Sequence, residues 1–177
     1  MKKITCLLLT FVLLLSVCSC NNSTKQNETT VPEATVTEAT EQELKEAAVF
    51  IKAAETLAAN IASIQINGWS TNSQIMQYYF SDLDYTNASL SSVHKEHIRK
   101  IQTFRNDARK AMQEAKKMMG ESGTSEQYQA VKKYYQEVNI LLNFVSEFPS
   151  GYSKITFSQS VSQYKSNCTT AYLSIES

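Results

Sequence analysis

Apolar residues recur at three- and four-residue intervals through most of the chain beyond residue 41, and that spacing predicts helices rather than strands. In the first run, Leu44, Ala47, Ile51, Ala54, Ala58 and Ile61 fall on one face, and Phe50, Leu57 and Ile64 widen it. The run starts near Thr40 or Glu41. Its many alanines permit close approach of a neighbour, and Asn67-Gly68 marks an end or a kink. Between Trp69 and Tyr85, the pairs Ile75/Tyr79 and Met76/Phe80, followed by Leu83, keep helical spacing, and Thr71 with Gln74 has the form of a capping box. This segment is either a short separate helix or the far half of a kinked first one.

The next pattern is the longest. Leu90, Val93, His97, Ile101, Phe104, Ala108, Ala111, Ala115 and Met118 predict a helix over residues 89–119, roughly 45 Å long at 1.5 Å per residue. Gly120-Glu121-Ser122-Gly123 breaks it. A further helix starts at Thr124, capped with Gln127, and carries Tyr128, Val131, Tyr135, Val138, Leu142 and Val145, thickened by Tyr134, Leu141, Phe144 and Phe148. Pro149-Ser150-Gly151 stops it. Phe157, Val161, Tyr164, Cys168, Ala171 and Ile175 form the last stripe. Its beginning also fits a strand through Ile155, Phe157 and Val161, but a lone strand would leave its backbone unpaired, so helix is preferred. The predicted fold is therefore all-α: an antiparallel up-and-down bundle of about four long helices over residues 42–177.

Composition adds three points. Glycine (4) and proline (2) are scarce, which suits long helices. Formal charge is zero, which argues against a nucleic-acid partner. Three of the four cysteines, Cys6, Cys18 and Cys20, lie in the first 20 residues, so Cys168 has no partner in the body and the domain depends on its core.

The N-terminus is of a different kind. Met1-Lys2-Lys3 is followed by an almost wholly apolar run over residues 4–17, too short for a span of roughly 20 residues but right for a secretion signal. Val17-Cys18-Ser19-Cys20 then has an aliphatic residue, a tolerated middle residue, a small residue and a cysteine. In these residues the chain resembles bacterial lipoprotein precursors, cut by lipoprotein signal peptidase before the lipid-bearing cysteine. The resemblance covers about 20 residues. It implies cleavage between Ser19 and Cys20, a diacylglyceryl thioether on Cys20, often with an added acyl chain such as palmitate, and a location at the outer face of the cell membrane. Each buried methylene contributes about 0.8 kcal/mol, so two or three chains hold stably where one would not.

Residues 20–41 are rich in Thr, Glu and Asn, without aromatics or apolar periodicity, and are expected to form a disordered tether. About 21 such residues reach roughly 25 Å.

Candidate chemistry is sparse. His94 and His97, three apart, share a helix face and are the only candidate metal ligands; the plainer expectation is His97 at a polar layer of the core seam with His94 on the flank. No Glu-x-x-His motif completes a di-metal site. Cys168 sits on an apolar stripe, as a small hydrophobe does. Between Lys95 and Lys117, eight basic residues face three acidic ones, a net of +5: either a strip for anionic headgroups or cell-wall polymers, or a solvated face with acidic neighbours. Trp69 and the tyrosines are candidates for a carbohydrate or peptide groove. Phosphate-loop, nucleophile-elbow, zincin and mature Cys-x-x-Cys motifs are absent. No catalytic residue and no cofactor is therefore assigned. The expected function is a non-enzymatic interaction or structural module at the cell envelope, partnered by the membrane through Cys20 and by an envelope protein or anionic cell-wall polymer. The alternatives are a ligand-binding lipoprotein and a metal-binding bundle.

Overall fold

The computed structural model describes residues 38–147 and 150–176. The expected signal peptide, the expected lipobox with Ser19 and Cys20, most of the expected tether, and Phe148 and Pro149 lie outside the described residues. Those described form an all-helical structure with no strand: α1 (Glu41–Asn67), α2 (Ser73–Phe80), α3 (Ser92–Met119), α4 (Glu126–Phe144) and α5 (Lys154–Glu176). The segment after Trp69 is a separate short helix, α2, and the segment after Tyr152 is helical throughout its regular part.

The caps show why the helices begin where they do. Thr40 and Glu43 form a full capping box at α1, each side chain accepting from the other's backbone N–H. The boxes expected at Thr71/Gln74 and Thr124/Gln127 are not formed. In each case the following residue caps instead. Asn72 Oδ1 accepts from the N–H groups of Gln74 and Ile75 (2.9 and 3.3 Å), and Ser125 Oγ accepts from that of Tyr128 (3.1 Å). Thr124 is held elsewhere: its N–H and hydroxyl both donate to Glu38 at 3.1 Å. Gly120 ends α3 at φ +67°, a conformation that glycine adopts without strain.

Three contacts, in the same order along both helices, make α1 and α4 parallel: Glu38 to Thr124, Glu55 to Tyr134, and Gln65 to Val145. The start of α3 lies by the end of α1, where Tyr79 joins His94 and His97 and crowds Gly68. Lys52 stands over the Tyr172 ring while Phe144 stacks on Phe157, so α5 runs against both α1 and α4. α1 packs on α3, α4 and α5. Its buried Ala47 and Ala54 repeat at seven residues, as do Ala108 and Ala115 on α3, and these small side chains bring the two backbones close. By length and composition α1 is apolar enough to cross a membrane, yet Leu44, Ile51 and Ile61 are buried within the domain, as in a core helix.

The α1 stripe is buried as expected. In α3, Ile101, Ala108 and Ala115 are buried as expected, but the other row is displaced by one residue: Ile98, Arg105, Met112 and Met119 are buried, whereas Val93 is 61% exposed and His97, Phe104, Ala111 and Met118 are only partly covered. The buried register passes through Arg105, a residue that hydrophobic patterning rejects. In α4, Tyr134 is the buried member of its pair and Tyr135 the rim.

Candidate functional site

Polar chemistry concentrates where α2 and the loop after it lie across α1 and α3. Two features of the sequence place it there. Gly68 ends α1 without a side chain, and the short α2 lays Tyr79 into the space that this leaves. The Tyr79 ring is fully buried while its hydroxyl reaches His94 Nδ1 at 2.7 Å and His97 Nδ1 at 3.0 Å. A hydroxyl has one hydrogen. One histidine therefore accepts it, and the other donates its own Nδ1–H to the tyrosine oxygen. Burial pushes the Tyr79 phenol up to about 12, so it is a hydroxyl at neutral pH. The two histidines are half-buried and flank the seam; Ile98 and Ile101 occupy the seam at this level, so the core place expected for His97 is corrected.

Below this lies a buried polar knot. The Tyr79 carbonyl accepts from Gln65 Nε2 and from Arg105 Nη2, each at 3.2 Å, and Gln65 Nε2 also donates to the Val145 carbonyl at 2.7 Å. The Arg105 side chain is 1% exposed, and its Nη1 donates to Asp82 at 2.6 Å. Asp82, on the loop after α2, also accepts from Arg109 at 3.2 Å. Burial lowers the pKa of Arg105, with Asp82 opposing that effect.

A third group joins α1, α4 and α5. Tyr134 donates to Glu55 at 2.5 Å, Lys52 reaches the same carboxylate at 2.8 Å, and Cys168 lies buried nearby. Burial, reinforced by the charges of Glu55 and Glu137, pushes the Cys168 thiol up to about 12. A thiol so placed is a poor nucleophile. Iodoacetamide at neutral pH is expected to leave Cys168 unmodified in the native protein and to alkylate it in urea, as read by intact mass; native alkylation at the denatured rate would contradict this burial.

The α3 strip is paired along most of its length but stays cationic, because its six paired cations share four carboxylates, three of them on the helix itself. Six of its eight cations have a carboxylate within 4.0 Å; among the described residues only Lys95 and Lys116 do not, and Lys95 donates to the Thr86 carbonyl. Two of the six are served by Asp82, an acidic neighbour from outside the helix.

Trp69 and Tyr152 do come together. With Ser70, Thr71, Ser73, Met76, Ser153, Lys154 and Ile155 they line an open cleft of about 530 Å³ between the α1–α2 junction and the start of α5. Trp69 is seated against Phe80 and Phe157, with ring centroids at 6.3 and 5.3 Å.

Of the residues singled out from sequence, His94 and His97 are thus brought together by Tyr79, whose part was missed, as were those of Gln65, Asp82 and Arg105. The one available signal was Arg105 itself, a cation in three-four register with Ile98, Ile101, Ala108 and Met112. Among the described residues, no cluster of three or more His, Cys, Asp or Glu side chains is arranged to hold a metal. Comparison with protein-family models, curated proteins and solved structures finds no match to this chain.

Proposed function

We propose that the chain is an exported lipoprotein, held by lipid on Cys20 at the outer face of the cell membrane, whose helical domain is a non-enzymatic interaction or structural module of the cell envelope. The observation that carries this reading is the N-terminal sequence: two lysines, a short apolar run, and Val17-Cys18-Ser19-Cys20. The domain would be an up-and-down bundle of four long helices with α2 as a strap. Its largest buried polar groups, Gln65, Arg105 and the Glu55–Tyr134 pair, serve to join helices, which suits a rigid platform.

Mass spectrometry of membrane-extracted protein should show an N-terminal, acylated Cys20, and Cys20→Ala should release or mislocalise the protein. An uncut, unmodified N-terminus would overturn the anchor. Crosslinking in intact cells tests the module: a reproducible envelope partner is expected, and capture of lipid alone would count against it.

A second reading, a ligand-binding lipoprotein, is favoured by the Trp69 cleft, where an aromatic face, serine and threonine hydroxyls and Lys154 suit a small glycan. Trp69 is the only tryptophan in the chain, so its fluorescence reports on that cleft directly. Saturable change on titration with soluble cell-wall oligosaccharides is expected on this reading, and an unchanged spectrum would remove it.

A further inference from the structure

The hydroxyl shared by two imidazoles has a second chemical use. Oη of Tyr79 and Nδ1 of His94 and His97 are three lone-pair donors, two of whose separations are 2.7 and 3.0 Å. Metal bonds of about 2.0–2.1 Å at right angles give ligand-to-ligand edges of about 2.9 Å, whereas tetrahedral angles give about 3.3 Å. The observed separations match the right-angled shell, which with nitrogen and oxygen donors suits Cu2+, the divalent ion that such donors also hold most tightly.

We propose that Tyr79, His94 and His97 form a Cu2+ site, with Oη adjacent to both Nδ1 atoms and water completing the shell. The donors are already placed. Tyr79 is fixed by its buried ring against Gly68, and the histidines, three apart near the start of α3, share one face. Both imidazoles are half-buried, so the three donors lie at the edge of the core and not in its interior. Binding replaces the O–H bond of Tyr79 by an O–Cu bond, and that proton leaves to solvent. The histidine that held Nδ1–H carries its hydrogen on Nε2 instead. The copper stays divalent and no electron moves.

The tyrosine distinguishes this site from a bare histidine pair. The test is titration of the detergent-extracted protein with Cu2+ alone. One equivalent should bind and give a phenolate-to-Cu2+ charge-transfer band in the visible spectrum. His94 and His97 are the only histidines in the chain, so imidazole nitrogen coupling in the electron paramagnetic resonance spectrum would come from them. Tyr79→Phe should abolish the band. His94→Gln and His97→Gln should each weaken binding by at least about tenfold, since a direct ligand matters no less than its outer-shell support. Absence of the band in the wild type overturns the proposal, as does its survival in Tyr79→Phe or unchanged affinity in the double histidine variant. Circular dichroism checks each variant's fold, and if Tyr79→Phe does not fold, the wild-type band and nitrogen coupling decide alone.

Discussion

Asp82→Ala should lower the unfolding free energy by about 2–3 kcal/mol, a large effect for a loop residue whose side chain is 55% exposed. The reason lies in its partner. Arg105 is buried, and among the described residues Asp82 supplies the one carboxylate that pairs with it. Removing the aspartate leaves a cation in the interior beside Arg109, a second cation. The expected value sits at or below the low end of the range for broken buried pairs because water reaches the aspartate side of the bond. Arg105→Met, which removes the charge and keeps most of the packing, should cost less, about 1 kcal/mol or under. Urea unfolding of both variants checks the order. Equal losses, or a neutral Asp82→Ala, would mean that the guanidinium is satisfied without the aspartate.

The same pair sets a pH dependence. Burial pushes the Asp82 carboxyl up, but hydrogen bonds from Arg105 and Arg109, together with their charges, outweigh it and hold the group below its ordinary value of 3.8. A carboxyl with a depressed pKa in the folded state contributes stability that is complete above the unfolded value and is lost as pH falls through the folded one. Stability should therefore decline as pH drops below about 4. In Asp82→Asn that acid limb should be shallower, and an unchanged limb would assign it to other carboxyls.

Gly68→Ala should destabilise by about 1–3 kcal/mol, the usual cost of overpacking. The backbone is not the obstacle, since Gly68 has φ −90°, which alanine adopts freely. The obstacle is the Tyr79 ring: an added Cβ would stand 2.6 Å from its Cε1 and 2.8 Å from its Cζ. That ring is buried and tied through its hydroxyl to both histidines, so it cannot swing away cheaply. A double-mutant cycle isolates the effect, because in a Tyr79→Leu background the cost of Gly68→Ala should shrink to well under half. Additive losses would show that the clash is not with Tyr79.

Periodicity revealed the helices because each long one buries a face: α1 buries the six residues of its stripe, and α5 buries Phe157, Val161, Cys168 and Ala171 while Tyr164 and Ile175 are partly covered. The helix ends were less legible. Thr71-Asn72 and Thr124-Ser125 each offer two adjacent capping side chains, and local sequence does not say which of the two a distant residue such as Glu38 will occupy. The α3 face was misread because its buried register includes Arg105, whose place depends on Asp82, 23 residues earlier. For the candidate site, the histidine pair is visible as spacing. Its tyrosine comes from another helix, and Gln65 bonds to a carbonyl 80 residues away, a pairing that no local pattern encodes.

The Glu38–Thr124 contact also gives the domain a polarity. α1 begins at the pole where α4 begins and α5 ends. Trp69, Tyr79 and the histidines stand at the other pole, the length of the 27-residue α1 away, about 40 Å. The aromatic and imidazole chemistry thus stands at the end of the domain farthest from the start of α1, clear of the pole that Glu38 and Thr124 close.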